Sequence, residues 1–190
     1  MNETGGIEPA DDLPAEVAAW LGQVVVVVDE GSLAIERGVI ENFCVAVEDA
    51  NPLYWDEGQA TTIADGLVAP PALLSSWTRS HRWTPAGAPP LRPLELHFLL
   101  KEKLGLPRAV VIGSETCYHA PARIGDRVRA EQVLDAVGAW RDSRLGRGRR
   151  WAISVHYRNQ YGALLGSEQL RFFAYLATDD LATDDGAGHE

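Results

Sequence analysis

Glu115, Cys117 and His119 recur at every second position, so an extended chain places all three side chains on one face of a strand. A cysteine beside a histidine is the pair that generates a nucleophilic thiolate. Residues two apart on a strand are about 6.6 Å apart along the backbone, which is too far for an easy direct hydrogen bond. No Ser or Cys nucleophile turn supports the pair elsewhere in the chain. We therefore expect no nucleophilic catalysis from it.

A metal site is not expected either. The chain has 2 cysteines, Cys44 and Cys117, and neither lies near a CxxC or HExxH spacing. Two cysteines are also too few for a disulfide framework. The sequence therefore predicts neither a zinc site nor a set of disulfide bonds.

The first half of the chain predicts helices. A short helix is expected over 15–21 and a strand over Val24–Val28. Apolar residues at helical spacing over 39–47 predict a buried or half-buried helix. This helix must end near Asn51, because Pro52 disfavours helical geometry in the residue before it. Short helices follow around a loop, and then a proline-rich stretch with an apolar piece at 94–100.

The second half predicts strands. Period-2 alternation is found in four segments, 109–119, 126–137, 150–161 and 163–176. The order of elements fits a single α+β domain: one strand, one apolar helix, a loop region and four further strands. In it, an antiparallel sheet wraps around a central apolar helix, which is the hot-dog fold.

Composition and charge suit one domain with acidic ends. The 190 residues are 46% hydrophobic, and we place the domain at 14–178. Much of the net charge of −10 comes from the ends, because residues 1–13 hold four acidic and no basic residues and residues 179–190 hold five acidic ones. This composition predicts that 1–13 and 179–190 are disordered.

Membrane and nucleic-acid functions are not expected. Apolar runs such as Val24–Val28 are far shorter than the ~20 residues that cross a bilayer. No basic and apolar leader precedes it, so we expect a cytoplasmic protein. The body of the chain lacks the basic surface of a nucleic-acid binder, apart from five arginines between positions 141 and 150.

Four stretches carry a family resemblance. Residues 43–60 read FCVAVEDANPLYWDEGQA and residues 66–71 read GLVAPP, while 118–126 read YHAPARIGD and 157–162 read YRNQYG. In this order they resemble the MaoC-like acyl-thioester dehydratases and (R)-specific enoyl-CoA hydratases, whose first motif is a helix ending in Gly-Asp-x-Asn-Pro-Leu-His-x-Asp. The likeness spans about 14–176 and implies the hot-dog fold. Its Ala-Pro-Pro form resembles N-terminal MaoC-like domains, some of which are non-catalytic partner subunits.

The resemblance implies a site and two departures from it. In active members an Asp and a His activate water for addition to a trans-2-enoyl thioester, and a backbone N–H stabilises the enolate oxygen. Asp49 matches the acid, and Asn51 with Pro52 matches the turn. Tyr54 stands in place of the histidine. Pro70, which has no N–H, stands in place of the glycine donor.

Both departures affect the same reaction. A tyrosine with a pKa near ~10 is a poor base at neutral pH. Loss of one oxyanion donor typically costs about 3 kcal/mol of transition-state stabilisation. We therefore expect Asp49 and Tyr54 to form a degenerate catalytic site, inactive or weak in the isolated chain. Asp49 has the equal alternative of bonding the turn that follows its helix, and His81 is more typical of a surface histidine than of a replacement base.

The resemblance also implies where a substrate lies. Arginine forks match phosphate geometry, so the arginine cluster is a candidate for the phosphates of coenzyme A, with a solvated turn as the alternative. Asn51 has the alternative of a turn former, and the aromatic residues at 54 and 55 that of core residues. The substrate-binding residues we predict are Asn51, Trp55, Val68, Ala69, Pro70, Arg147, Arg149 and Arg150.

Together these expectations describe a subunit of an enoyl-CoA hydratase or 3-hydroxyacyl thioester dehydratase complex. The chain forms the tunnel for the acyl group and coenzyme A, and a partner hot-dog chain supplies the Asp and His. Its substrate is an acyl-CoA or acyl-carrier-protein thioester, with no further cofactor. We expect a homo- or hetero-oligomer that uses Val24–Val28 and the strand around 151–157 as contact surface. The alternatives are a non-catalytic thioester-binding module and an autonomous dehydratase that uses Tyr54.

Overall fold

A six-stranded antiparallel sheet forms the body of the protein. The computed structural model describes residues 6–29, 34–79 and 92–177. The strand order is β1-β3-β5-β6-β2, and β4 pairs with β5. The strands are β1 (Val24–Val28), β2 (Arg108–Tyr118), β3 (Arg129–Val137), β4 (Arg141–Ser143), β5 (Gly146–Arg158) and β6 (Leu164–Leu176). The predicted strands are confirmed, with ends that move by up to four residues.

The helices lie mainly in the first half of the chain. They are α1 (Ala15–Trp20), α2 (Arg37–Val47), α3 (Pro52–Trp55), α4 (Glu57–Ala64) and α5 (Glu95–Lys103), with a 3-10 helix over Pro71–Thr78. None of the helices in the described part of the chain is long and apolar enough to cross a membrane. The arrangement is the α+β hot-dog fold that the pattern of elements predicted.

Helix α5 is the helix packed against the sheet. Its Leu96 and Leu100 are fully buried, and the ring of His97 lies 4.2 Å from that of Phe172 and 5.6 Å from that of Trp151. The first turn of α5 is anchored to the sheet, because the buried Gln132 side chain accepts a hydrogen bond from the Leu96 N–H at 3.0 Å. Thus one short apolar segment supplies the central helix.

Helix α2 is the half-buried one. It buries Ile40 and Cys44, one turn apart, whereas Val45 and Val47 are 68% and 54% exposed. The sequence placed the strongest helical pattern here, but the central position belongs to α5. The sequence pattern did not identify α5 as a helix, because its apolar stretch is only about two turns long and the preceding segment is rich in proline.

The inner face of the sheet closes the core. Trp151, Ile153, Val155 and Tyr157 of the central strand β5 are each at most 4% exposed. The prediction that this strand offers contact surface to a partner is therefore wrong, since its apolar side chains already fill the core. In the edge strand β1, by contrast, Val24 and Val27 are half exposed.

The N-terminal segment lies along the end of β3. Pro9 forms a bridge with Gly138, and the Ala10 N–H donates to the Val137 carbonyl at 3.1 Å. The disorder over 1–13 stays a prediction; in the structure, backbone pairing and an ion pair described below join residues 6–13 to the sheet. Residues 1–5 and the predicted acidic tail at 179–190 lie outside the described residues.

Candidate functional site

The turn between α2 and α3 positions the acidic and amide side chains of the motif. Helix α2 ends at Glu48, which adopts a left-handed conformation with φ 57°. The Asp49 Oδ1 then accepts the Asn51 N–H at 2.9 Å, and the Asn51 Oδ1 accepts the Leu53 N–H at 3.1 Å. Asn51 is the N-cap of α3, and Pro52 occupies the first helical position, where a missing N–H is harmless. Both side chains therefore make the turn itself.

Trp55 stabilises the same turn from the other side. Its indole N–H donates to the Asp49 carbonyl at 2.8 Å, and its side chain is one-third exposed. Asp56 begins the next helix, because its carboxylate accepts the Gln59 N–H at 3.0 Å, and these bonds lower the pKa of Asp56. The polar groups from Asp49 to Asp56 thus serve local structure.

Tyr54 is the buried residue of the motif. It is 8% exposed, and burial is the main reason that the pKa of its phenol is raised, with the nearby Asp49 and Cys44 adding to the effect. A raised pKa keeps the phenol protonated at neutral pH. Tyr54 can therefore donate a hydrogen bond but does not act as a general base.

An apolar cavity of about 330 Å³ adjoins Tyr54. Four of the predicted site residues line it, namely Tyr54, Val68, Ala69 and Pro70. The rest of the wall includes side chains that the sequence analysis did not assign to the site: Leu74 and Trp77 of the 3-10 helix, Tyr118 at the end of β2 and Leu165 of β6. Only Tyr118 was signalled beforehand, as the first residue of the third motif. We call this space the acyl cavity, after the acyl group that the family resemblance implies for these residues.

The loop beside the acyl cavity has no free backbone donor at four successive positions. The Val68 N–H donates to the Leu53 carbonyl at 3.2 Å, and the Ala69 N–H donates to the Ala122 carbonyl at 2.8 Å. The next two residues are Pro70 and Pro71, which have no N–H. The lack of a free backbone N–H, which the sequence predicts at Pro70, therefore extends over residues 68–71.

A second cavity lies on the other side of α3. Its volume is about 530 Å³, and its lining includes Cys44, Asp49, Pro52 and Trp55. The structure therefore does not bring all predicted site residues to one space. Asp49 and Trp55 line the second cavity, whereas Tyr54 lines the acyl cavity.

Arg149 is an internal anchor and not a phosphate ligand. Its side chain is 3% exposed, and its Nη2 lies 2.6 Å from a carboxylate oxygen of Asp12. Its Nη1 donates to the Gly138 carbonyl at 3.2 Å, and its guanidinium lies 4.6 Å from the centre of the Trp140 ring. The same ion pair lowers the pKa of Asp12. Our assignment of Arg149 to substrate binding is wrong, because a residue 137 positions away satisfies its charge.

The other two predicted arginines lie far from the acyl cavity. Arg147 is exposed, and its guanidinium lies 5.5 Å from the centre of the Trp140 ring. Arg150 lines a third cavity of about 260 Å³. Tyr157 pairs with Gly166, which is next to the cavity-lining Leu165, and Arg150 lies seven residues from Tyr157 along β5, or about 23 Å. Neither arginine is therefore brought to Tyr54.

His119 lines the acyl cavity beside Tyr118, but within the described residues it forms no pair with Cys117. The His119 Nε2 lies 3.1 Å from the Ser167 hydroxyl, so its polar partner is Ser167 and not Cys117. Within the described residues, no group of three or more His, Cys, Asp or Glu side chains is placed to hold a metal ion. His81 lies outside the described residues.

Comparisons with known proteins agree with the fold and the motifs. A family model described as "FAS1-like, dehydratase domain region" matches residues 19–168. The chain belongs to this FAS1-like dehydratase family. Among curated relatives, it is 25% identical over 167 residues to the probable enoyl-CoA hydratase alpha subunit of Thermomonospora curvata, which covers 87% of this chain and 52% of that protein.

Two further proteins come from Mycobacterium tuberculosis. The chain is 30% identical over 130 residues to the 3-oxo-4,17-pregnadiene-20-carboxyl-CoA hydratase alpha subunit, covering 67% of this chain and 40% of that protein. It also matches a chain of the ChsH1-ChsH2 complex with a TM-score of 0.63 and 23% identity, covering 77% of this chain and 81% of that one. The chain thus spans about half the length of the curated relatives it matches.

Proposed function

We propose that this chain is a subunit of an (R)-specific enoyl-CoA hydratase or 3-hydroxyacyl thioester dehydratase complex. In the complex it encloses the acyl group, and a partner hot-dog chain supplies the catalytic Asp and His. The observation that carries the proposal is an apolar cavity bordered by a protonated phenol at Tyr54 and by a loop, 68–71, with no free backbone donor. Such a wall suits an apolar acyl chain, and the loop over 68–71 supplies no N–H that could polarise a thioester.

The edge of the sheet supports a shared site. Among the described residues, β2 pairs only with β6, so its outer edge presents unpaired backbone donors and acceptors. Val111 and Tyr118 on this strand are 60% and 52% exposed, and Tyr118 also lines the acyl cavity. A hot-dog chain that pairs with β2 would therefore reach the cavity.

The relatives support the class of reaction. Two curated relatives are named as alpha subunits of CoA-ester hydratases, so we carry this activity over to the complex, with coenzyme A as part of the substrate. The lack of a free backbone N–H over 68–71 favours this proposal over an autonomous dehydratase that uses Tyr54 as its acid. Arg147 and Arg150 remain candidates for the phosphates in this proposal, whereas Arg149 does not.

The test compares the isolated chain with a complex. A hot-dog chain with an intact Gly-Asp-x-Asn-Pro-Leu-His motif, encoded beside this one, is co-expressed and co-purified with it, and hydration of a trans-2-enoyl-CoA is measured. We expect turnover by the complex and little or none by the isolated chain. Rates near ~10 per second, typical of enzymes, from the isolated chain would overturn the proposal. Thioester binding by the complex without turnover would favour the non-catalytic binding module.

Variants at the two departures sharpen this test. Tyr54→His alone is expected to leave the isolated chain nearly inactive, because Pro70 still has no N–H to donate. The double variant Tyr54→His/Pro70→Gly supplies both missing groups and is expected to exceed either single variant. Equal activity of the double variant and wild type would show that the two departures do not limit the isolated chain.

A further inference from the structure

The third cavity lies between the N-terminal segment and the start of β4. Its volume is about 260 Å³, and it is lined by residues 6–8 on one side and by residues 138–141 and Arg150 on the other. Glu8 and Arg141 are exposed, so the space opens to solvent. A water molecule's share of liquid volume is ~30 Å³, so the space is large enough for a tetrahedral anion and the group that carries it. We call it the arginine cavity.

The walls of the arginine cavity are held in place by contacts within the chain. The Ala139 N–H donates to the Glu8 carbonyl at 3.1 Å, which joins the two sides of the cavity. The ion pair between the buried Arg149 and Asp12 ties the same N-terminal segment to β5. A site whose walls are already ordered loses little conformational entropy when a ligand enters.

Arg150 and the N-terminal segment lie on the same face of the sheet. Trp151 is fully buried in the core, so its neighbour Arg150 extends from the opposite, outer face of β5. The Gly138 N–H donates to the Arg150 carbonyl at 2.7 Å, and residues that pair in this way across two strands point to the same face. A Cβ added at Gly138 would lie 3.0 Å from the Ile7 Cγ2. The segment over 6–8 therefore crosses the face from which Arg150 extends.

The charge of the cavity's arginines is not neutralised by the described part of the chain. Among the described residues, neither Arg141 nor Arg150 forms an ion pair, whereas Arg149 pairs with Asp12. Glu8 is the acidic residue of the lining. Two guanidinium groups and one carboxylate leave one net positive charge around the space.

We propose that the arginine cavity binds a phosphate monoester through Arg141 and Arg150. Guanidinium groups donate paired N–H bonds whose geometry matches that of phosphate oxygens. The phosphate belongs either to the coenzyme A part of a thioester that also enters the acyl cavity or to a separate phosphorylated molecule. Arg150 lies about 23 Å from Tyr157 along β5, so one molecule that fills both spaces has to be extended. The inference goes beyond the proposed function, because it requires neither an acyl group nor turnover.

Isothermal titration with adenosine 3′,5′-bisphosphate at physiological ionic strength tests the site, because this probe carries phosphate monoesters and no acyl group. We expect Arg141→Gln and Arg150→Gln each to weaken its affinity about tenfold or more, since each removes charge-assisted hydrogen bonds. Arg144→Gln is the matched control, because Arg144 is exposed in the same hairpin but does not line the cavity. We expect a change of less than about twofold there, because salt screens an exposed charge. Equal losses in Arg141→Gln and Arg144→Gln, or no binding to wild type, would overturn the proposal.

Glu8 tests the same site in the opposite direction. Glu8→Gln removes the carboxylate of the lining, while the backbone carbonyl at this position still accepts the Ala139 N–H. We expect the probe to bind about threefold more tightly, because a charge that repels phosphate is removed. Unchanged or weaker binding would contradict a phosphate in this cavity. Thermal unfolding checks that each variant folds, and should Arg150→Gln not fold, Arg141→Gln at its exposed position decides the test.

Two further ligands identify the source of the phosphate. Coenzyme A and dephospho-coenzyme A differ by the 3′-phosphate alone. If coenzyme A binds wild type more tightly and Arg150→Gln removes the difference, the cavity holds the 3′-phosphate of coenzyme A. If the two bind equally while binding of the probe still depends on Arg141 and Arg150, a separate phosphorylated molecule occupies the site.

These measurements separate the inference from the proposed function. None of them measures hydration, so a complex without hydratase activity leaves the phosphate site intact if the probe responds to the variants as expected. A complex that hydrates a trans-2-enoyl-CoA, but whose binding of the probe is the same in wild type, Arg141→Gln and Arg150→Gln, keeps the proposed function and loses the phosphate site.

Discussion

The two ends of strand β5 both carry residues that suggest ligand binding, but they are built differently. At the Tyr157 end, the structure leaves an apolar cavity open between the 3-10 helix and the sheet. At the Arg149 end, a buried guanidinium donates through both terminal nitrogens within the chain, to Asp12 and to the Gly138 carbonyl. The residue types at the two ends do not by themselves distinguish a ligand-binding site from an internal contact. A buried charge requires a partner, and here the partner is internal.

Glycines at the two ends sharpen the comparison. A Cβ added at Gly148 would overlap the Ala174 carbonyl on the neighbouring strand, and backbone cannot move aside without breaking the β5–β6 pairing. At Gly166, the nearest atom is the flexible Leu74 Cδ2 at 2.6 Å, on the wall of the acyl cavity.

The largest effect is therefore expected for Gly148→Ala. We expect it to lower the free energy of unfolding by more than about 3 kcal/mol or to prevent folding. Gly166→Ala is expected to fold, with Leu74 displaced and acyl-CoA affinity reduced. Urea unfolding measures the first effect and calorimetric titration the second. A fully stable Gly148→Ala protein would contradict the close packing of this end.

His97 makes the packed interior sensitive to acid. Burial against Phe172 and Trp151, together with the charge of Lys101, lowers the pKa of His97 to about 4 from an ordinary value of 6.5. Between these values the unfolded chain binds more protons than the folded one. The free energy of unfolding therefore does not depend on His97 above pH 6.5, and it falls as the pH drops from 6.5 towards 4. The size of this fall is about 3 kcal/mol.

Unfolding free energies measured from pH 7 to pH 4 test this expectation. The control is His97→Phe, which keeps an aromatic ring against Phe172 but cannot bind a proton. We expect the pH dependence in this interval to be clearly shallower in the variant. Parallel curves for the two proteins would mean that other groups cause the acid sensitivity.

The smallest effect distinguishes two neighbouring arginines. Arg149→Ala removes a buried ion pair and the contact with Trp140, and we expect a loss of about 2 kcal/mol, below the range for fully buried pairs because Asp12 is 61% exposed. Arg147→Ala, at an exposed position, is expected to change stability by less than about 0.5 kcal/mol. Thermal unfolding measures both. A weaker affinity for CoA esters with unchanged stability in Arg149→Ala would return this residue to the substrate site.

Some features of the site were predictable because they depend on residues a few positions apart. The turn from Asp49 to Leu53 follows from an Asx side chain placed two residues before its N–H partner, with proline at the first helical position. The loss of a base at Tyr54 and of a donor at Pro70 is a matter of side-chain and backbone chemistry. Neither observation needs coordinates.

The assembly of the site was not predictable in this way. Tyr54 and Trp55 are adjacent in sequence, yet they line different cavities because they lie on opposite sides of α3. Leu74 and Leu165 meet across the acyl cavity although about 90 residues separate them. Such neighbours are chosen by packing, and apolar periodicity does not identify them.

The sequence by itself determined the strands, the α+β class, the motif turn, and the tyrosine at position 54 and proline at position 70 in place of a histidine and a backbone donor. These features follow from periodicity and local hydrogen bonding, which act within a few residues. The tertiary structure decided that α5 and not α2 is the central helix, that Arg149 pairs with Asp12, and that Tyr54 and Trp55 line different cavities. Burial and charge pairing join distant segments, so only the folded chain fixes them.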